Sequence, residues 1–255
     1  MTDKIIISVH NLTKNYGQFE AVKGISFEVR EGEIFGLLGP NGAGKSTTLE
    51  IIETLREKTG GEVMVDGLNL DKDPGEIKKI IGVQLQTSGY YPGLSLTELI
   101  ELFGGLYNQP VKPLELLDTV NLRDKAKAKY KELSGGQKQR FSIATTLINQ
   151  PRIIFLDEPT TGLDPQARRN LWDLIRAIRD RGTTVIITTH YMDEAEVLCD
   201  RVAIIDSGRI IAMESPDRLI DRLVATGFER PKEVKQANLE DVFIHLTGHA
   251  LRSEN

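Results

Sequence analysis

A glycine-rich segment, Gly39 to Ser46 (GPNGAGKS), constrains the fold of this chain more than any other part of its sequence. It follows directly on the apolar run Ile34 to Leu38 and precedes a helix that is expected to begin near Lys45. In a strand–loop–helix unit of this kind, backbone N–H groups and the positive end of the helix bind phosphate. The sequence therefore predicts a phosphate-binding loop at the end of a buried strand, within an α/β fold.

The residue types in this loop suit the binding of a nucleotide. Its glycines let the backbone curl around phosphates, Lys45 adds a point charge, and the Ser46 hydroxyl can ligate Mg²⁺. An ordinary strand-to-helix turn is the alternative interpretation, and the full motif match disfavours it. The predicted nucleotide-binding residues of the loop are Asn41, Gly42, Ala43, Gly44, Lys45, Ser46 and Thr47.

A second apolar strand, Ile153 to Leu156, ends in the two carboxylates Asp157 and Glu158. The buried end of such a strand aims Asp157 towards a metal ion, and Glu158 is then placed to polarise a water molecule. By itself, a strand that ends in a solvated acidic pair is an equally good interpretation. Together with the phosphate-binding loop, the pattern predicts Ser46 and Asp157 as metal ligands and Glu158 as the catalytic base.

The remaining apolar runs predict the fold class, which is α/β. Runs at 185–187 and 202–205, with helical stretches between the strands, predict a mainly parallel central sheet. Two β-branched segments at 5–10 and 25–29 predict an N-terminal antiparallel β subdomain.

Spacing along the chain also predicts its organisation. Ser95 and Glu98 stand at capping-box spacing before an apolar run, which predicts a helical insert at about 90–150. Polar residues with two helical patches follow the last strand. We therefore expect a main domain over 1–215 and a short C-terminal appendage over 216–255.

Composition limits the classes of function. Among the 255 residues, 32 are Lys or Arg and 37 are Asp or Glu, and a net charge of −5 argues against a dedicated nucleic-acid binder. The single cysteine, Cys199, and an N-terminus without a signal-peptide pattern predict a reducing, cytoplasmic compartment. No run approaches the roughly 18 to 20 apolar residues that cross a bilayer.

Leu133 to Gln137 (LSGGQ) is the segment that distinguishes between families with such a loop. Ser134 can cap a helix, Gln137 lies at capping-box spacing, and the two glycines let backbone N–H groups approach a ligand. A well-capped helix without a ligand is the alternative. The pentapeptide matches in full the signature motif of the nucleotide-binding subunits of ABC transporters, which the chain resembles over residues 1 to about 215.

The resemblance implies further site residues. Tyr16 matches the aromatic residue that stacks on adenine, and His190 matches the switch histidine that contacts the γ-phosphate. Gln86 matches the Q-loop glutamine, with Gln84 as a second candidate, and the loop Gly162 to Asp164 matches the segment that crosses to a partner subunit. The implied catalytic residues are thus Glu158, His190 and Gln86, the metal ligands are Ser46, Gln86 and Asp157, and Ser134, Gly136 and Gln137 bind the nucleotide of a second copy.

The same resemblance implies a function. The tail from Asn238 to Gly248 is similar to the C-terminal box of type-two ABC exporters, which include drug, antibiotic and lipid pumps. The chain is then expected to bind ATP and Mg²⁺, to dimerise head to tail on ATP, and to power a separate membrane permease from the inner face of the cell membrane. Tyr90 and Tyr91 are the expected docking surface for that permease.

Two other interpretations stay open at this point. One is a soluble ABC-type ATPase that acts on a ribosome or nucleic-acid machine, although such relatives usually carry two domains or a long coiled coil. The other is a nucleotide-binding scaffold without catalysis, which the presence of Lys45, Asp157, Glu158 and His190 disfavours.

Overall fold

The computed structural model describes residues 4–84 and 89–228. The chain divides into two compact units, Met1–Leu219 and Ile220–Asn255. The predicted division at residue 215 stays a prediction.

The strands of the described part are β1 (Ile5–Tyr16), β2 (Phe19–Arg30), β3 (Ile34–Leu38), β4 (Gly60–Val65), β5 (Leu68–Asn69), β6 (Ile81–Gln84), β7 (Ile153–Asp157), β8 (Thr184–Thr189), β9 (Arg201–Asp206) and β10 (Arg209–Glu214). Its α-helices are α1 (Lys45–Ile52), α2 (Pro74–Ile80), α3 (Leu96–Leu106), α4 (Pro113–Thr119), α5 (Gly135–Thr146), α6 (Pro165–Asp180), α7 (Met192–Leu198) and α8 (Pro216–Ala225).

The first sheet is antiparallel, with the strand order β2-β1-β4-β5. Residues Ile25, Phe27 and Val29 of β2 are buried and alternate with exposed neighbours, as expected of a strand with one face on the core. This confirms the predicted N-terminal antiparallel subdomain. Strands β4 and β5, which follow α1 in the chain, complete the sheet and were not predicted.

The second sheet has the order β10-β9-β3-β8-β7-β6, and only the β10–β9 pair within it is antiparallel. Every residue of β3 and β8 is buried, as is typical of central strands that are covered on both faces. In the parallel register, Leu38 pairs with Thr189 and Thr188 pairs with Asp157. The segments that follow β3, β7 and β8 therefore emerge at one edge of the sheet, where ligands of open α/β sheets bind.

Helices α3, α4 and α5 lie within the region predicted as a helical insert. The capping box at the start of α3 is present, because Ser95 and Glu98 bond each other's backbone N–H groups. These helices pack on a core that also contains Leu171, Ile175 and Ile187. The insert is therefore joined to the parallel sheet by shared apolar packing.

Tyr90 is partly buried and packs against this core, and its predicted share in a docking surface stays a prediction. Its ring centroid lies 4.4 Å from that of Tyr130 and 5.2 Å from that of Phe141. Its hydroxyl is 3.3 Å from Ser142 Oγ. The neighbouring Tyr91 is 67% exposed and remains a candidate for the surface that Tyr90 was predicted to share.

Within residues 4–84 and 89–228, we find no helix that combines the length and the hydropathy needed to cross a bilayer.

Candidate active site

The phosphate-binding loop needs glycine at two positions because the backbone passes close to other strands. Gly44, with φ of 102°, precedes α1, and a Cβ atom there would lie 2.7 Å from the carbonyl oxygen of Ala21. A Cβ atom at Gly39 would lie 2.1 Å from the carbonyl oxygen of Ile205. Side chains are excluded at both positions, which fixes the path of the loop between β3 and α1.

Lys45 is the first residue of α1 and is only 4% exposed. Its Nζ donates hydrogen bonds to the carbonyl oxygens of Gly39, at 2.8 Å, and Pro40, at 3.0 Å. The same atom lies 3.7 Å from Glu158 Oε1. Burial lowers the pKa of Lys45, and the carboxylates of Glu158 and Asp157 oppose this effect. The loop thus holds one buried cation within the curl of its own backbone.

Ser46 and Asp157, the predicted metal ligands, lie next to each other. Ser46 Oγ donates to Asp157 Oδ1 at 3.1 Å, and the Thr188 hydroxyl donates to the same carboxylate oxygen. Hydroxyl and carboxylate oxygens are hard ligands that suit Mg²⁺, which proteins commonly bind through one or two side chains plus substrate phosphates. Among the described residues there is no cluster of three or more His, Cys, Asp or Glu side chains that could hold a metal ion unaided. The pair fits a magnesium ion that a bound nucleotide helps to coordinate.

Glu158 lies at the centre of the site and has an unusual backbone conformation, with φ of 46°. Its backbone N–H donates to Thr188 Oγ1 at 2.9 Å, and its Oε2 accepts from the Thr161 hydroxyl at 3.2 Å. Its Oε1 lies 3.2 Å from His190 Nδ1, although this approach lacks the angle of a hydrogen bond. A left-handed conformation at a residue other than glycine is disfavoured, so the surrounding contacts hold this carboxylate in place.

The loop and Glu158 line a cavity of about 400 Å³. Phe19 and Ala21 line it too, and neither was predicted. Phe19 pairs with Tyr16 across the short turn between β1 and β2. Its position beside a predicted adenine-stacking residue could have indicated that it lines the nucleotide site. Ala43, which was also predicted, is 3% exposed and does not line the cavity, and its N–H donates to the carbonyl oxygen of Pro40. The predicted residues that line the cavity are Tyr16, Asn41, Gly42, Gly44, Lys45, Ser46, Thr47 and Glu158.

A further carboxyl group lies behind the site and was not anticipated. Glu53 follows α1, is 2% exposed, and its Oε1 has no hydrogen-bond partner within the described residues. Burial, followed by the nearby charges of Asp157 and Glu50, raises the pKa of Glu53 to about 8. At neutral pH the group is therefore mainly uncharged, so the site carries fewer negative charges than its sequence suggests.

The signature residues lie in a second cavity, of about 470 Å³, which shares no lining residue with the first. Its walls include Ser134, Gly136 and Gln137 at the start of α5, and Gly162 and Asp164 before α6. Both helix starts are capped, since Gln137 N–H bonds Ser134 Oγ at 3.3 Å and Ala167 N–H bonds Asp164 Oδ1 at 2.9 Å. The structure thus brings the predicted signature motif and the predicted crossing loop, Gly162 to Asp164, into one cavity, which the phosphate-binding loop does not line.

Of the two candidates for the Q-loop glutamine, the structure describes only Gln84. Gln86 lies outside the described residues, as do the residues of the C-terminal box from Asn238 to Gly248. Gln84, the second candidate, is the last residue of β6 and is 3% exposed. The role of Gln86 stays a prediction.

A phosphate-binding loop, a Ser–Asp pair for a hard cation and a carboxylate held 3.7 Å from the loop lysine define a nucleoside-triphosphate hydrolase with a P-loop core. Residues 22–161 match the profile of the ABC transporter family. The chain belongs to this family. It is an ATP-binding subunit that hydrolyses ATP, which confirms the predicted family, fold class and enzymatic activity.

Similar proteins include transporter subunits of several bacteria. The linearmycin resistance ATP-binding protein LnrL of Bacillus subtilis (strain 168) is 40% identical over 223 residues, which cover 86% of this chain and 72% of LnrL. The Nod factor export ATP-binding protein I of Ralstonia nicotianae is 40% identical over 220 residues, which cover 84% of this chain and 68% of the relative. The daunorubicin/doxorubicin resistance ATP-binding protein DrrA of Streptomyces peucetius is 41% identical over 211 residues, which cover 81% of this chain and 64% of DrrA.

Solved structures give the same assignment. A dimeric ATP-binding cassette in a post-hydrolysis state, bound to ADP and phosphate, superimposes with a TM-score of 0.73 at 32% identity, covering 82% of this chain and 98% of that one. These similarities favour a transporter ATPase over the alternative of a soluble machine that acts on a ribosome or nucleic acid.

Proposed function

We propose that this chain is the ATPase subunit of an exporter, that it forms a head-to-tail homodimer on ATP, and that it drives a separate membrane permease from the cytoplasmic face. The observation that carries the proposal is the separation of the two cavities. The phosphate-binding loop and the signature motif each have the features of a phosphate site, yet they share no lining residue within one chain. A second copy, turned head to tail, would complete both.

In the proposed composite site, the residues of one chain divide the work of phosphoryl transfer. Lys45 and the backbone of the loop bind the phosphates, while Tyr16 and Phe19 receive the adenine base. Glu158 accepts a proton from the attacking water, and His190 and Gln86 contact the γ-phosphate. The start of α5 in the partner copy, with Ser134, Gly136 and Gln137, contacts the same phosphate from the opposite side, where the positive helix end favours the anion.

Mg²⁺ belongs to the proposal because two of its predicted ligands, Ser46 and Asp157, lie next to each other. Ser46, Asp157 and Gln86 would hold it, and the ion would neutralise charge on the β- and γ-phosphates. Thr188 supports this arrangement from within the chain, because its hydroxyl donates to Asp157 and accepts from the Glu158 N–H. One threonine thus orients the metal ligand and the base together.

Export, and attachment to the cell membrane through a permease, are supported by the relatives. Their names associate them with resistance to linearmycin or daunorubicin/doxorubicin and with Nod factor export. The cargo would be chosen by the permease. Tyr91, 67% exposed in the loop before α3, is the residue we propose to receive a permease helix.

Purification of the native complex from membranes tests the proposal. We expect a membrane protein to co-purify with the chain, and Tyr91→Ala to reduce that association while ATP hydrolysis by the isolated subunit persists. Loss of an interface anchor commonly costs about 2 kcal/mol or more, which is enough to lower recovery measurably. Tyr107→Ala is the matched control, since Tyr107 is an exposed tyrosine, at 44%, just after α3. Equal recovery for Tyr91→Ala and wild type would contradict the docking assignment.

A further inference from the structure

The ring of Tyr16 has two cations against it. The guanidinium carbon of Arg56 lies 5.5 Å from the ring centroid, and Lys14 Nζ lies 5.2 Å from it. Both distances are within the range in which a cation is attracted to an aromatic face. Tyr16 is the last residue of β1 and is 41% exposed, so a large part of its side chain makes no packing contact.

Both cations are themselves anchored on the segment that contains and follows α1. Arg56 Nε donates to Glu50 Oε2 at 2.5 Å, and Lys14 Nζ donates to the carbonyl oxygen of Glu57 at 2.6 Å. Glu50 belongs to α1, the helix that begins with Lys45. The orientation of the ring is thus tied to the helix that carries the phosphate-binding lysine.

The position of the β1–β2 turn does not depend on these cations. Asn15 N–H donates to Thr59 Oγ1 at 2.9 Å, and Thr59 N–H donates to the carbonyl oxygen of Thr13 at 2.9 Å. These bonds already fix the backbone of the hairpin beside the segment after α1. The contribution left to Arg56 is therefore the orientation of the ring.

Arg56 does not line the cavity of the phosphate-binding loop. Tyr16 lines the cavity of the phosphate-binding loop, whereas Arg56 lines a neighbouring cavity together with Ile51, Thr54 and Leu55. The two cavities share no lining residue. A base that stacks on Tyr16 from the first cavity would meet a ring that is braced from the second.

We propose that Arg56, held by Glu50, is a positioning residue that orients the Tyr16 ring for the nucleobase and thereby sets the affinity for ATP. The proposal rests on the adenine-binding role of Tyr16 given above. The alternative is that Arg56 and Glu50 form a surface ion pair only, which would contribute little to binding. In that case, removal of Arg56 would have no selective effect on ligands that contain a base.

The test compares two probes on the full chain, ATP and inorganic tripolyphosphate, by calorimetric measurement of Kd. Arg56→Met keeps the aliphatic stem but loses the charge, and we expect the Kd for ATP to rise about two- to fivefold. Lys14 stays against the ring in this variant, so the change reports one cation. The Kd for tripolyphosphate should stay the same because it carries no base. Arg56→Lys should restore most of the affinity for ATP.

A double-mutant cycle then asks whether Arg56 acts through the ring. Tyr16→Ala should raise the Kd for ATP about fivefold or more. Adding Arg56→Met to Tyr16→Ala should cause no further rise. Additive effects, or a rise in the Kd for tripolyphosphate, would overturn the positioning role.

The matched control is Lys58→Ala, which removes another ion pair in the same segment, between Lys58 and Asp71 at 2.8 Å. It should leave both Kd values unchanged. Should Arg56→Met fail to fold, Glu50→Gln can be used instead. This variant keeps the Arg56 side chain but removes the carboxylate that holds it, and we expect a smaller rise in the Kd for ATP alone. If Tyr16→Ala itself leaves the affinity for ATP unchanged, the adenine assignment fails. If Tyr16→Ala weakens binding and Arg56→Met does not, only the positioning role fails.

Discussion

The two cavities of this chain use their polar groups in opposite ways. Around the phosphate-binding loop, polar side chains face one another, with Lys45 Nζ 3.7 Å from Glu158 Oε1 and His190 Nδ1 3.2 Å from the same carboxylate oxygen. In the signature cavity, the charged groups are engaged elsewhere: Asp164 caps α6, and Arg140 donates to the carbonyl oxygen of Asn121 at 3.2 Å. The first cavity holds charged groups close together. The second presents capped helix starts to a ligand that approaches from outside the chain.

In the proposed composite site, this difference would give the two regions separate roles. Groups that carry out chemistry must be held in place before the ligand arrives, because preorganised charge is what lowers the barrier. A helix start needs no charged side chain to attract an anion, since the backbone supplies the field. Each of the following predictions separates the two regions by a measurement, from the largest expected effect to the smallest.

The largest effect is expected at Glu158. Glu158→Gln keeps the shape of the side chain but removes the base, so ATP turnover should fall by about 10² to 10⁴, equivalent to about 3 to 5 kcal/mol of barrier. Binding of ATP should persist because Lys45 and the loop are unchanged. Steady-state phosphate release and a separate binding isotherm measure the two effects.

Glu196→Gln is the control for this prediction, since Glu196 is an exposed glutamate of α7. It should hydrolyse ATP at the wild-type rate. Near-normal ATP turnover in Glu158→Gln would contradict the assignment of Glu158 as the catalytic base.

The next effect concerns the signature cavity. In the Glu158→Gln background, sedimentation should show a dimer with ATP and mostly monomer with ADP. Ser134→Arg should abolish the ATP-dependent dimer, because its long side chain would occupy the space of the partner's phosphate.

Ser95→Arg provides a closely matched control. Ser95 caps α3 with the same capping box that Ser134 forms at α5, so both variants lose about 1 kcal/mol of helix capping. Only Ser134 lines the signature cavity. Equal dimerisation of the two variants would contradict the composite site.

A pH-dependent effect is expected behind the charged region. Between the ordinary pKa of 4.5 and the raised value of about 8, the folded chain keeps a proton on Glu53 that the unfolded chain has released. The free energy of unfolding therefore falls as the pH rises through this window, by about 1.4 kcal/mol per unit. Glu53→Gln removes this contribution, so its thermal stability relative to wild type should be higher at pH 8 than at pH 5.

Glu57→Gln, a change at an exposed glutamate four residues further on, should show the same stability difference from wild type at both pH values. If Glu53→Gln also shows the same stability difference from wild type at both pH values, Glu53 does not carry the additional proton in the folded chain.

The smallest effect separates two glycines of the signature motif. A Cβ atom at Gly135 would lie 3.9 Å from Leu163, whereas one at Gly136 would lie 3.2 Å from the Cβ of Ala167 on α6. Alanine is favoured over glycine in helices by up to about 1 kcal/mol, so Gly135→Ala should stabilise the chain and Gly136→Ala should stabilise it less. Urea denaturation of both variants measures the difference. Equal gains would show that close helix packing does not require glycine at 136.

Several parts of the fold could be predicted because their signals are local. The continuous apolar runs of β3 and β7, the capping boxes at Ser95 and Ser134, and the carboxylates after β7 depend on neighbours within a few residues. Strands β4 and β6 could not be predicted, since they are short and are stabilised by partners distant in sequence, as in the pairing of β4 with β1. Tyr90 and Tyr91 are adjacent and of one type, so no periodicity could tell which of them packs against the core.

What the sequence alone determined is the set of chemical groups: a loop that must bind phosphate, a strand that must end in carboxylates, and helix starts that cap themselves. The tertiary structure decided which groups meet. Parallel pairing of β3, β8 and β7 brings Lys45, Asp157 and His190 to one edge of the sheet, although more than a hundred residues separate the first from the other two. It also decided that Glu53 is buried and holds a proton. The physical reason is that burial and distance depend on packing between remote segments, which a local pattern does not encode.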